Sequence, residues 1–218
     1  MRILEIILIT TILAGAATPA NGVSFKLGAQ ITSVGNSLTG ELPNEGKWKD
    51  QASVGGSIMA DLYFTEDVSI SFQPGYTPRN SRQQFEWYDE VIAYYDYNFN
   101  YLTLPLIVRV TGEPVGIRGF VTAGLDFGIL LDATVQTDTG KEDITDGLNS
   151  TTIGALFGAG VLFPVGRHFL CLELRYEQGL DDIVARDGTE TEPGLGSPSV
   201  KYRGLSLLAG FLFTFGGE

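Results

Sequence analysis

From Val23 onward the chain alternates apolar and non-apolar residues with a period of two, segment after segment. That period marks an extended strand with two chemically different faces, because successive side chains leave a strand on opposite sides. In VSFKLGAQI, Val23, Phe25, Leu27, Ala29 and Ile31 form one column against Ser24, Lys26, Gly28 and Gln30. QASVGGSIMADLYF sets Ala52, Val54, Ile58, Ala60, Leu62 and Phe64 against Gln51, Ser53, Ser57 and Asp61. VSISFQPGY repeats the pattern with Val68, Ile70 and Phe72. IRGFVTAGLDFGILLDA places Ile117, Val121, Leu125, Phe127, Ile129 and Leu131 opposite Arg118, Thr122, Asp126 and Asp132. YLTLPLIVRV, TTIGALFGAGVLF, FLCLELRYE and YRGLSLLAGFLFTF complete eight candidate strands.

Alternation alone leaves open which face is buried; the second face, the connections, the strand lengths and the aromatics together favour one answer. In mid-strand the second face carries Lys26, Asp61, Arg109, Arg118, Asp126, Glu173, Arg175 and Glu177, interleaved with glycines. A sheet in water hides its apolar face and wets its charged one. A sheet in lipid does the reverse, and it must close on itself because lipid cannot hydrogen-bond a free edge. Read inside-out, the apolar columns become a lipid-facing shell. Arg109, Arg118, Asp126, Glu173, Arg175 and Glu177 then form a network of ion pairs in the lumen, and the glycines leave room for them. The connections agree, running long, short, long, short, long, short, long: about 35–50, 65–67, 78–92, 111–116, 136–150, 164–168 and 180–200. An up-and-down antiparallel barrel puts alternate connections at one end, and outer-membrane barrels have short periplasmic turns, long outer loops and an even strand number. Strands of about ten to fifteen residues suit tilted membrane crossings better than a soluble sheet. Aromatics gather at strand ends, where two interfacial girdles would lie: Tyr63 and Phe64, then Tyr94, Tyr95, Tyr97, Phe99 and Tyr101, then Phe211, Phe213 and Phe215.

YLTLPLIVRV puts Leu102, Leu104, Leu106, Val108 and Val110 in one outward column, with Thr103, Pro105, Ile107 and Arg109 turned to the lumen. Pro105 has no amide hydrogen for the ladder, which predicts a local break or bulge. Tyr95, Tyr97 and Phe99 are out of phase with the outward column. They predict a bulge near Asn100 or a change of environment at the rim.

The first 22 residues read differently: Arg2, an apolar run from Ile3 to Ala17 interrupted by Glu5, then small residues. That is the order of a secretory signal, so the chain divides into a signal peptide at 1–22 and a barrel domain at 23–218. A net charge of −12 argues against a nucleic-acid partner. Cys171 is the only cysteine, which rules out an intramolecular disulfide, and its place between Leu170 and Leu172 fits packing on the inner face of a strand. His168 is the only histidine and falls in a short turn, so neither a zinc site nor a catalytic triad is expected. No enzyme activity, metal or cofactor follows from these residues. The acidic outer segments, with Asp138, Glu142, Asp143 and Asp146 and then Asp181, Asp182, Asp187, Glu190 and Glu192, lack EF-hand spacing and read as solvated charge.

The signal peptide, FKLGAQIT, VSISFQPGY, GFVTAGLDFGILLDA and above all YLTLPLIVRV carry a resemblance. The mature chain, residues 23–215, resembles the small outer-membrane β-barrel proteins of Bacteroidetes-type bacteria often called PorT-like. The resemblance implies an all-β, eight-stranded up-and-down antiparallel transmembrane β-barrel with short periplasmic turns and long outer loops. It implies an outer-membrane location and outer-membrane lipid and lipopolysaccharide as surroundings. The founding member takes part in secretion, so envelope or secretion proteins are the expected partners. Phe215 is followed by GGE, a departure from the strictly terminal aromatic of many such proteins. The expected role is structural or interactive within the envelope. Two other readings stay open, an exported lipocalin-like barrel that binds a small apolar ligand and a narrow channel. Oligomeric state is left open as well.

Overall fold

Each alternating segment becomes a strand. The computed structural model describes residues 24–40, 47–87, 90–113, 116–138, 140–184 and 200–215, so the expected signal peptide lies outside the described residues. The strands are β1 (Ser24–Thr39), β2 (Lys47–Tyr63), β3 (Val68–Phe72), β4 (Gly75–Trp87), β5 (Glu90–Thr103), β6 (Leu106–Thr111), β7 (Arg118–Thr137), β8 (Gly140–Asp143), β9 (Thr151–Val165), β10 (His168–Gly179) and β11 (Lys201–Phe215). A 3-10 turn at Thr145–Gly147 follows β8.

Eight of these eleven strands form an antiparallel ring in the order β1, β2, β4, β5, β7, β9, β10, β11, and β11 pairs back onto β1. β3 and β6 continue the lines of β4 and β5 and pair with each other, while β8 folds back on β7. The two interruptions sit at Gln73–Pro74 and Leu104–Pro105, on neighbouring strands. Neither proline can donate, so the ladder is bridged around them: Gln73 N–H donates to the Pro105 carbonyl at 3.0 Å and Leu104 N–H to the Phe127 carbonyl at 2.8 Å.

The ring is staggered. From Ile129 the paired residues run through Leu102, Tyr76, Gly56, Ile31, Ala209, Leu172 and Val161 to Gly119, so one circuit ends ten residues lower on β7. Such stagger tilts the strands of a closed sheet against its axis.

Two of the expected long connections are mostly strand. β1 runs on to Thr39 and β2 starts at Lys47, and β4 and β5 stay paired up to Trp87 and Glu90. At these hairpin ends apolar and polar residues do not alternate cleanly, so no apolar column announced them. The turns at 64–67 and 166–167 and the ends of β6 and β7 at Thr111 and Arg118 gather at the opposite end, together with Ser24 and Phe215.

The outward columns are where the alternation put them. Val54, Ile31, Leu207, Val121 and Phe157 lie 57–70% exposed, and among the described residues thirty large apolar or tyrosine side chains are exposed. That is far more continuous apolar surface than a water-soluble monomer tolerates. Cys171 is buried between outward Leu170 and Leu172.

Near the long-hairpin end the pattern inverts. Asn100 faces Asp132 but Tyr101 faces Leu130, so Leu131 is an extra residue in β7. Beyond it Ala133 and Val135 turn inward and Asp132 is exposed, where it accepts from the Asn100 amide at 2.9 Å. The sequence pattern put Asp132 in the lumen; the bulge reverses its face. A second shift, in β2 between Asp50 and Gly56, turns Trp48 inward against Tyr97. Tyr97, Phe99 and Tyr101 are each 1% exposed. They stay in phase with Thr103 and Arg109 and are an interior cluster, not the expected interfacial girdle. Tyr63 is interior as well.

Candidate functional site: the charged interior

Three tiers of charge fill the ring below that inversion. At the lower tier, β6 brings Arg109 to Asp61 of β2, and both are fully buried. The Ser71 hydroxyl donates to the same carboxylate, and the guanidinium lies 4.9 Å from the Phe120 ring centre. Lys26 of β1 sits between the rings of Tyr63 at 3.9 Å and Phe169 at 4.4 Å. Met59, Phe120, Leu162, Cys171 and Leu212 form an apolar floor.

In the middle tier Arg175 and Glu173, two residues apart on β10, share one face. The Arg175 guanidinium donates to Glu173 at 2.9 and 3.0 Å and to the Gln73 side-chain carbonyl at 2.9 Å. Thr122 donates to Glu173 at 2.9 Å, and Gln30 donates to Gln73 at 3.0 Å. Gln73 in turn donates to Ser71 at 2.8 Å, which joins this tier to the Asp61 pair below.

The upper tier centres on Arg79 of β4. Its guanidinium donates to Asp126 of β7 at 2.6 Å, to Glu177 of β10, and to Thr152 at 3.2 Å. It lies 3.7 Å from the Tyr202 ring centre and 4.6 Å from that of Tyr101, and the Tyr202 hydroxyl donates to Glu177 at 2.8 Å. Glycine makes the space: a Cβ at Gly154 would lie 2.2 Å from the Tyr202 hydroxyl, and one at Gly158 2.5 Å from Glu173 Oε1. Above this tier Leu38, Tyr97, Phe99, Ile144, Leu148, Ile183 and Val200 close the mouth. At its edge Asp143 accepts from the Thr145 amide at 2.9 Å and hydroxyl at 2.6 Å, bonds that hold its carboxyl below the usual carboxylate value.

Of the six residues picked from sequence, Asp126, Glu173, Arg175 and Glu177 are brought into the middle and upper tiers, and Arg109 into the lower. Arg118 stands apart. Its guanidinium clasps the short turns, donating to the Glu66 carbonyl at 2.8 Å, the Gly112 carbonyl at 3.0 Å and Asp67 at 3.2 Å. It therefore pairs with no lumen carboxylate, and Arg118→Ala should lower stability by only about 1–2 kcal/mol in equilibrium unfolding, since the freed carbonyls sit near water. Arg79 was missed because TPRNSR has polar residues on both faces and a proline, which reads as loop. Gln30 and Gln73 were missed because uncharged lumen residues leave no distinctive signal.

The filled interior leaves a cavity of about 30 Å³ beside Gln73 and Pro105, lined also by Gln30, Asp126, Arg175 and Glu177. That is room for about one or two water molecules. Among the described residues no cluster of His, Cys, Asp and Glu could hold a metal ion.

Residues 20–185 match the family model described as outer membrane protein beta-barrel domain. No curated protein sequence matches the chain. Among solved structures, Neisserial surface protein A is similar at 15% identity and a TM-score of 0.53, over 89% of this chain and 100% of that one. The outer membrane protein OprG from Pseudomonas aeruginosa aligns at 13% identity and a TM-score of 0.49, over 90% of this chain and 97% of that one. Likeness at such identities concerns the fold alone. The family match, spanning most of the chain, joins the closed ring and its outward apolar columns: the chain belongs to the outer membrane protein beta-barrel domain family, with the outer-membrane location that membership implies.

Proposed function

We propose that the chain is an eight-stranded transmembrane barrel of the PorT-like type, exported by the segment 1–22, that serves as an anchored interaction module of the envelope. The observation that carries this reading is the filled lumen. Eight strands enclose an interior just wide enough for side chains, and here those side chains are ion-paired, with a cavity of about 30 Å³ beside Gln73 among the described residues. A large pore has no path through three tiers of buried charge and an apolar roof. A lipocalin-type carrier has an apolar interior and a wet exterior, the opposite of this distribution. What the barrel offers is its rim and hairpins, held in place by a rigid, charge-locked wall. Partners are envelope proteins of a secretion or surface assembly, and the module performs no catalysis.

Conductance in planar bilayers tests this directly. The purified, refolded chain should give no steady current, or only rare, small events. A large, steady open-channel conductance would replace the anchor with the narrow-channel reading. Crosslinking in intact envelopes, followed by identification of the attached proteins, would name the partner.

A further inference from the structure

The outer rim is electrically divided. On the side formed by β11, β1, β2 and β4, the exterior carries Lys201, Arg203, Lys47, Lys49 and Arg82, against Asp50 among the residues whose side chains are described. The side formed by β7, β8 and the 3-10 turn carries Asp132, Asp138, Glu142, Asp143 and Asp146, against Lys141 alone. In a chain with a net charge of −12, five cations on one sector run against the overall composition.

Their height is as informative as their sign. On β11 the outward column runs Leu207, Leu205, Arg203, Lys201 from the apolar belt upward; on β2 it runs Ile58, Val54 and then Lys49. Lys49 faces Arg82 across the ladder, and Arg203 and Lys201 face the uncharged Ser37 and Thr39 of β1. The bulge in β2 falls between Val54's neighbour Gly56 and Asp50, at the step from apolar to charged exterior. Tyr94 stands exposed beside Arg82, whose guanidinium lies 4.9 Å from its ring centre, and exposed tyrosines mark the level where acyl chains give way to headgroups. The cations thus continue the outward columns directly above the lipid-facing belt, at the first residues of β2 and β11.

We infer that this sector is a docking surface for phosphate-bearing lipid headgroups of the outer leaflet. The inference rests on the reading that the ring spans the membrane. Arg82 is already tied to Asp96 and Lys201 to the Leu180 carbonyl, so Lys49 and Arg203, both exposed, carry most of the attraction. A soluble protein partner would have to sit within the headgroup layer to reach them, whereas lipid phosphates are at that depth already.

The full chain, refolded in detergent, is offered equimolar diphosphoryl and monophosphoryl lipid A, and retained lipid is counted by native mass spectrometry. The wild type should favour the diphosphoryl form, and each cation removed in K49Q and R203Q should weaken its retention by about fivefold. Retention should fall as salt is raised and be unchanged in K141Q, on the acidic sector. Wild-type retention by the K49Q/R203Q double variant would overturn the inference, as would an equal loss in K141Q. Displacement of the lipid by millimolar inorganic phosphate would make this a soluble-anion site and overturn the lipid assignment. Heat-dependent gel migration of the same samples reports on the closed ring separately. Its loss would defeat the membrane-barrel reading, and its persistence without lipid preference would defeat this inference only.

Discussion

Arg79→Ala should lower the unfolding free energy of the refolded chain by about 3–5 kcal/mol, the range for removing one partner of a buried ionic cluster. The guanidinium is 2% exposed and is the cation that Asp126 and Glu177 share. Without it two carboxylates face each other inside the ring, with only the Tyr202 hydroxyl still donating to Glu177. Both cannot stay charged in a poorly solvated site. Arg79→Lys should rescue part of the loss, because one ammonium can meet the carboxylates but cannot fill the slot between Tyr101 and Tyr202 as a planar group does. Combining Arg79→Met with Asp126→Asn should be much less damaging than the sum of the single losses, since contacting partners couple. Urea unfolding in lipid vesicles reads all of these. Wild-type-like unfolding of Arg79→Ala would show that the upper tier does not hold the wall together.

The second large effect is steric. At Gly160 an added Cβ would lie 2.2 Å from the Leu172 carbonyl oxygen and 2.4 Å from the Phe120 ring. The oxygen belongs to the ladder between β9 and β10, so relief requires the two strands to part. Gly160→Val should prevent closure, leaving a chain that migrates as unfolded whether or not it is heated. Gly119→Val is the matched control, on an outward position of β7 with no atom within 4 Å of the new Cβ. It should fold like the wild type and gain slightly from the added lipid-facing methyl groups. Equal folding yields for the two variants would contradict the register of β9 against β10.

The sequence was most legible where one face is apolar and the other is not. Leu106, Val108 and Val110 alternate with buried Ile107 and Arg109 as expected, because period-2 alternation survives unchanged from sequence to wall. Alternation alone could not show where the phase reverses. An extra residue such as Leu131 leaves the local pattern intact, yet every side chain beyond it changes face. Asp132 was therefore placed inside, and the structure turns it outward. The aromatics of β5 misled for a related reason. Above the inversion the ring is built like a protein in water, so Tyr97 and Phe99 serve a core instead of a membrane interface. The ion pairs were legible as a set of charges on one face. Their partners were less so: Glu173 and Arg175 pair within β10, but the pairs of Arg79 and Arg109 run between strands and depend on the stagger of the ring. Arg79 shows this most clearly, since it joins β4 to β7 and β10, residues 47 and 98 positions away.

This ring is inside-out below the level of Asp132 and built like a water-soluble protein above it. Spin labels on single cysteines at Val121, Leu174, Leu207 and Asp132, in a Cys171→Ser background in lipid vesicles, test it by collision with oxygen and with a water-soluble nickel chelate. Labels at Val121, Leu174 and Leu207 should collide preferentially with oxygen, and the label at Asp132 with the chelate. Preferential collision with the chelate at Leu207 and Leu174 would mean a wet exterior, and would contradict the membrane-spanning ring.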